Sequence, residues 1–110
     1  MKKIGKAEWS RDGGWRGHVA GKDLGTGCTV LFVAFDEVGR RVGMHWHPYD
    51  EIFVVREGRA RFTIGDESVE AGPGDVLLGP AHVAHGFEVI EAPYVATDIH
   101  LSPEWIQTDL

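Results

Sequence analysis

The sequence predicts an all-β fold of two packed antiparallel sheets. Three observations carry that expectation. Runs at residues 28–35, 59–64 and 94–101 are continuously apolar or alternate with the period of a strand. Short turns rich in Gly, Pro and Asp separate the runs, as at Gly72-Pro73-Gly74-Asp75. No convincing helical pattern occurs before residue 102. Strands joined by tight turns bury their apolar faces most simply against a second sheet.

Taken in order, residues 1–27 read as an N-terminal arm and residues 28–110 as a single domain. The arm holds turn signals at Asp12-Gly13-Gly14 and at Gly21, Gly25 and Gly27. Trp9 and Trp15 suit anchors that pin it across the body or onto a partner subunit, and His18 suits an exposed histidine. Cys28 to Phe35 is apolar on both faces, so both need cover, from a facing sheet and from another sheet or subunit. Asp36 to Gly43 is a connection whose Arg40 and Arg41 suit solvated charge. Met44 to His47 and Glu51 to Val55 read as strands, with a bend at Pro48, which cannot donate to a sheet ladder.

Arg56-Glu57-Gly58 reads as a turn into Arg59 to Ile64, where Ala60, Phe62 and Ile64 alternate with polar residues. Gly65-Asp66-Glu67 closes a hairpin onto Ser68 to Ala71, and Val76 to Leu78 is a short strand. Val83 to Val89 and Tyr94 to Leu101 are the last two strands. Ser102-Pro103-Glu104 has the form of an N-cap, a helix-starting proline and an acidic first turn, so a short C-terminal helix is expected to about Gln107.

Composition narrows the function. At 110 residues the chain suits one domain with one core, and a net charge of −6 with scattered basic residues argues against nucleic acid or an anionic membrane as partner. No apolar run approaches the length of a membrane span, and the N-terminus lacks the apolar stretch of a secretion signal. The lone Cys28 forms no internal disulfide, is compatible with a reducing cytosol, and suits a small core residue better than a nucleophile. The chain is expected to be cytoplasmic.

The chemistry-bearing residues lie in two stretches. His45 and His47 are two apart, so a strand presents both imidazoles on one face, and the strand from Glu51 can return a carboxylate toward them. His85 is a candidate fourth ligand from a separate hairpin. Three imidazoles and a carboxylate suit one divalent transition metal: Fe, Mn, Ni, Zn, Co or Cu. Phe53 and Val55 share the parity of Glu51 and are expected to line an apolar pocket, whereas Trp46 has the opposite parity. His82, three residues before His85, suits the rim and not a ligand. Asp98 and His100 share a face that suits either solvent or the site, where they would act as acid–base partners or as supports for the ligands.

Together the stretches resemble the paired signature of the cupin superfamily. Gly39, His45, His47, Glu51 and Gly58 meet every position of its first motif. Gly74, Pro80 and His85 match the second, with His82 where Gly is usual and Val89 where Asn is usual. The resemblance covers about residues 28 to 101 and implies a jelly-roll β-barrel of the single-domain kind, with a metal on His45, His47, Glu51 and His85. Small cupins include dioxygenases, isomerases and sugar-acid or polyketide-processing enzymes. The expected function is therefore a metal-dependent enzyme acting on a small oxygenated molecule, a dioxygenase before an isomerase or lyase. A non-catalytic binder or sensor is the alternative, and a metal-free structural barrel a third. Family members of this size often pair through their sheets, and the doubly apolar strand 28–35 is a local reason to expect a homodimer.

Overall fold

A computed structural model describes all 110 residues. It is 53% strand and 7% helix, an antiparallel sheet curled into the expected jelly-roll barrel. The elements are α1 (Lys6–Trp9), β1 (Gly17–Val19), α2 (Gly21–Leu24), β2 (Thr29–Phe35), β3 (Arg41–Trp46), β4 (Glu51–Ile64), β5 (Glu67–Ala71), β6 (Val76–Gly79), β7 (His85–His100) and β8 (Thr108–Asp109). No helix is long and apolar enough to cross a membrane.

The barrel is organised by a ribbon of two long strands. β4 and β7 run antiparallel along their whole length, from the pair Glu51 with His100 to the pair Ile64 with His85. Register shifts between Val55 and Ala60 bend the ribbon. One half carries β6 on the β4 side and β2 then β1 on the β7 side; the other carries β5 and β3 then β8. The two sheets expected are thus two halves of one continuous sheet. Phe53 and Phe62, nine residues apart on β4, would be about 30 Å apart on a straight strand. Their rings are 5.1 Å apart, because the strand folds back on itself.

Between the halves lies the core of Phe35, Phe53, Val55, Ala60, Phe62, Ala71, Val89, Tyr94 and Ala96. Each large apolar side chain buried there contributes roughly 1.5–3 kcal/mol. Gly58 sits at the bend with φ of 71°, and a Cβ there would come within 2.3 Å of the Pro93 carbonyl oxygen. Residues 56–58, expected as a turn between strands, are instead the corner of one strand. A glycine with positive φ marks a change of direction, but not whether the chain reverses or only bends.

The N-terminal arm lies on its own barrel. β1 pairs with β2, and the Trp9 ring stacks on Phe32, with centroids 3.9 Å apart and planes within 9°. Trp15 closes the group at 6.1 Å from Phe32. Part of the outer face of β2 is therefore covered from within the chain. His18 is exposed and Cys28 half-buried.

The short helix expected after Ser102 is absent; residues 102–107 are an irregular strap leading to β8. Its carbonyls are committed elsewhere. The Ser102 carbonyl accepts from Thr29 Oγ1, that of Pro103 from the Lys22 N–H, and that of Ile106 from His47 Nδ1. Ser102 Oγ still accepts the Glu104 N–H, so a cap forms without a helix behind it.

Candidate metal centre

The centre forms where the two ends of the bent ribbon meet. Glu51 opens β4, His85 opens β7, and His45 pairs with His85 from β3. His47 lies just beyond β3, tied to the loop between β6 and β7 by its carbonyl, which accepts from the His82 N–H. The ligand atoms of His45, His47, Glu51 and His85 lie within 4.8 Å of one another, and all four residues are buried. His45 reaches the interior through a bulge, since Val42 pairs with Phe87 while His45 pairs with His85, three residues later against two. Such a bulge re-aims a side chain, and the isolated Gly43 is its trace in the sequence.

The donor set fits a divalent metal. His45 Nδ1 is 2.7 Å from the Gly43 carbonyl and His47 Nδ1 is 2.7 Å from the Ile106 carbonyl. A carbonyl only accepts, so both rings carry Nδ1–H and turn an Nε2 lone pair inward, as metal-ligating histidines do. His47 Nε2 is buried, lies 3.1 Å from Glu51 Oε1 and makes no hydrogen bond. A lone pair aimed at a carboxylate oxygen calls for a cation between them. Burial lowers the His45 pKa, which keeps that ring neutral, the form that binds metal.

Around this set lies a second layer of buried polar groups. Burial pushes the Glu51 pKa up, but hydrogen bonding, from His100 first, outweighs it and lowers the pKa overall. His100 Nε2 donates to Glu51 Oε1 from 3.2 Å, and its Nδ1 is 2.6 Å from the Tyr49 hydroxyl, which also takes the Ile106 N–H. Asp98 is 3% exposed, and its Oδ1 has no partner. Burial first, and then the charge of Glu51, raises the Asp98 pKa well above the usual carboxylate range. The face carrying Asp98 and His100 is turned inward.

A cavity of about 220 Å³ opens over the centre, lined by Phe53, His45, Glu51, His85, Asp98 and His100, with further apolar side chains above them. Phe53 lines it as its parity implied. Val55 does not; it lies in the core at 1% exposure, because the bend carries it below the cavity floor. Trp46 faces away and packs against the exposed His82, 5.3 Å between ring centroids. Sequence reasoning missed Tyr49, Arg11, Arg16, Trp105 and Gln107, the last four of which line the cavity from the arm and the C-terminal strap. Arg11 and Arg16 carried a faint signal, as the basic residues flanking the Gly13-Gly14 turn.

The family model described as the Cupin domain matches residues 31–100. An uncharacterized protein of Streptomyces coelicolor is 36% identical over 58 residues, 53% of this chain and 55% of its own. The chain thus spans about half the length of the curated relative it matches. Among solved structures, KdgF from Halomonas sp. shares 28% identity with a TM-score of 0.66, covering 72% of this chain and 71% of that one. Oxalate decarboxylase from Bacillus subtilis has a TM-score of 0.78 at 20% identity, over 86% of this chain and 27% of its own, a likeness of fold.

Proposed function

The chain belongs to the cupin family, and from that premise we propose that it is a metal-dependent enzyme acting on a small oxygenated molecule. One observation carries the reading: four ligand atoms within 4.8 Å converge beneath a cavity with apolar walls. His45, His47, Glu51 and His85 would hold one divalent ion of Fe, Mn, Ni, Zn, Co or Cu. Bound there, the ion supplies Lewis acidity for isomerase or lyase chemistry or, with a redox metal, activation of O₂. O₂-dependent chemistry is the first of these to test.

The chain's own residues have separable tasks. The Gly43 and Ile106 carbonyls fix two rings with Nε2 inward. His100, braced by Tyr49, holds the Glu51 carboxylate in place and is a positioning residue. Asp98, facing the cavity with its pKa raised by burial, is placed to donate a proton to a substrate oxygen. The apolar walls exclude water from the reacting centre.

The test begins with elemental analysis of untagged protein purified without chelator, beside the double variant His45→Ala, His85→Ala. Stoichiometric metal that the double variant loses supports the centre. O₂ uptake with a diol, enol or thiol then supports a dioxygenase. Turnover without O₂ supports an isomerase or lyase. A metal spectrum that no exogenous chelating ligand perturbs would indicate a closed site, and the enzyme reading would give way to a binder. The expected homodimer stands as a companion proposal, which sedimentation equilibrium of the purified chain decides.

A further inference from the structure

The N-terminal arm brings two cations to the cavity that the metal centre does not use. Arg11 and Arg16 line its wall. They stand on either side of a loop that builds its own support. The Arg11 N–H donates to the Arg16 carbonyl at 3.0 Å, Ser10 Oγ donates to the Gly14 carbonyl, and Asp12 Oδ1 accepts the Gly14 N–H. The Trp9 stack on Phe32 fastens this loop to the barrel. The main chain that carries both arginines is thus fixed to the barrel.

Neither is neutralised. The ion pairs that join Lys or Arg to an acid are Lys22 with Glu104, Arg41 with Glu88 and Arg61 with Glu70. Arg11 and Arg16 have no acidic partner within 4 Å and no side-chain hydrogen bond, although acids outnumber Lys and Arg by 17 to 11. Asp12, the acid within the loop, is occupied by the Gly14 N–H. The Arg16 guanidinium lies 4.9 Å over the Phe35 ring, which orients its plane and leaves its N–H donors free. The cavity's own acids, Glu51 and Asp98, stand on the barrel wall outside ion-pair reach of either arginine.

We propose that Arg11 and Arg16 bind the carboxylate of a small organic acid whose apolar body lies in the cavity and whose other end faces the metal centre. A guanidinium fork matches a carboxylate with two parallel N–H···O bonds, and Leu31, Phe35, Val42 and Phe87 offer an apolar middle. A cavity of about 220 Å³ restricts the acid to a small one. This deepens the proposed function and rests on it for the far end of the ligand, while the carboxylate grip stands apart from the metal.

The experiment is calorimetric binding of acetate, butyrate, benzoate and 3-phenylpropionate, each beside its neutral primary amide. The protein is used as purified and again after chelation, as wild type, as Arg11→Gln with Arg16→Gln, and as Arg11→Lys with Arg16→Lys. The expected result is a tenfold or greater preference of chelated wild type for at least one acid bearing an apolar group over its amide. The preference is lost in the glutamine variant and partly kept in the lysine variant, with metal content unchanged in both. Absence of any acid preference in chelated wild type, or its survival in a folded glutamine variant, overturns the proposal. Arginine-dependent acid binding in a protein that never takes up metal would leave this inference standing while the metalloenzyme reading fell. Metal uptake without arginine-dependent binding would do the reverse.

Discussion

At the scale of the residue, the centre is a matter of which atom each side chain presents. His45 and His47 give their Nδ1–H groups to main-chain carbonyls, so each has one outcome for Nε2. Replacing His45 and His85 together with Ala should abolish stoichiometric metal, an effect beyond the roughly 10–100-fold that losing an outer supporting partner costs. His100→Ala should fall in that smaller range, read by metal titration. Asp98 supplies a pH signature. Its folded pKa is raised, whereas the unfolded chain gives up the proton near pH 4. The folded state therefore binds more protons. The stability Asp98 contributes is complete below about pH 4 and is lost as the pH rises toward its folded value. Asp98→Asn stays neutral throughout. The urea midpoint of chelated wild type should thus fall relative to that variant as the pH rises above about 4; parallel profiles would refute a carboxyl whose pKa burial raises.

At the scale of the element, the bent strand does the positioning. β4 and β7 each serve both halves of the barrel, and their bend returns His85 to the side of Glu51 and His100. Gly58 permits that corner. Ala there takes a left-handed φ, costing on the order of 1–2 kcal/mol, and drives its Cβ into the carbonyl oxygens of Pro93 and Glu91. Gly74 has φ of 90° but nothing within 4 Å of where a methyl group would stand, so Gly74→Ala should show the conformational cost alone. Urea denaturation of the two variants should place Gly58→Ala well below Gly74→Ala, with weakened metal binding only in the former. The strap at residues 102–107 works in the same way. Its Ile106 carbonyl holds His47, and its Ile106 N–H meets Tyr49. A helix there would have withdrawn those groups from the site.

For the whole molecule, a metal held at this centre would be linked to the fold. An ion that binds only the folded chain stabilises it by about 2.7 kcal/mol when its free concentration is a hundred times Kd. Chelation should therefore lower Tm, and restoring the metal should raise it again. The same release is expected in acid, because imidazole binds a metal only in its neutral form. A Tm indifferent to chelation in wild type would count against the centre as a stabilising site. The His45→Ala, His85→Ala protein should show no such dependence in either direction.

The kinds of chemistry and the alternation of strands were legible in the residues alone. His-x-His spacing, Glu51 and His85 named a group that could hold a metal, and the period-2 pattern of residues 59–64 named a strand with one buried face. Those are local facts, because a strand's side-chain period is 2 wherever it lies. What is near what came only with the folded chain. The face of Asp98 and His100 suited solvent better than the site until β7 was seen paired to β4 at one end and to β2 beside it. The bend at Gly58 set Val55 in the core while Phe53 stayed at the cavity, though both share one parity. A helix cap at Ser102 was legible, yet donors from Thr29, Lys22 and His47 took the carbonyls a helix would have used. Arg11 and Arg16 reached the cavity only because Trp9 found Phe32. Each of these outcomes depends on partners distant in sequence, and residue spacing carries no record of them.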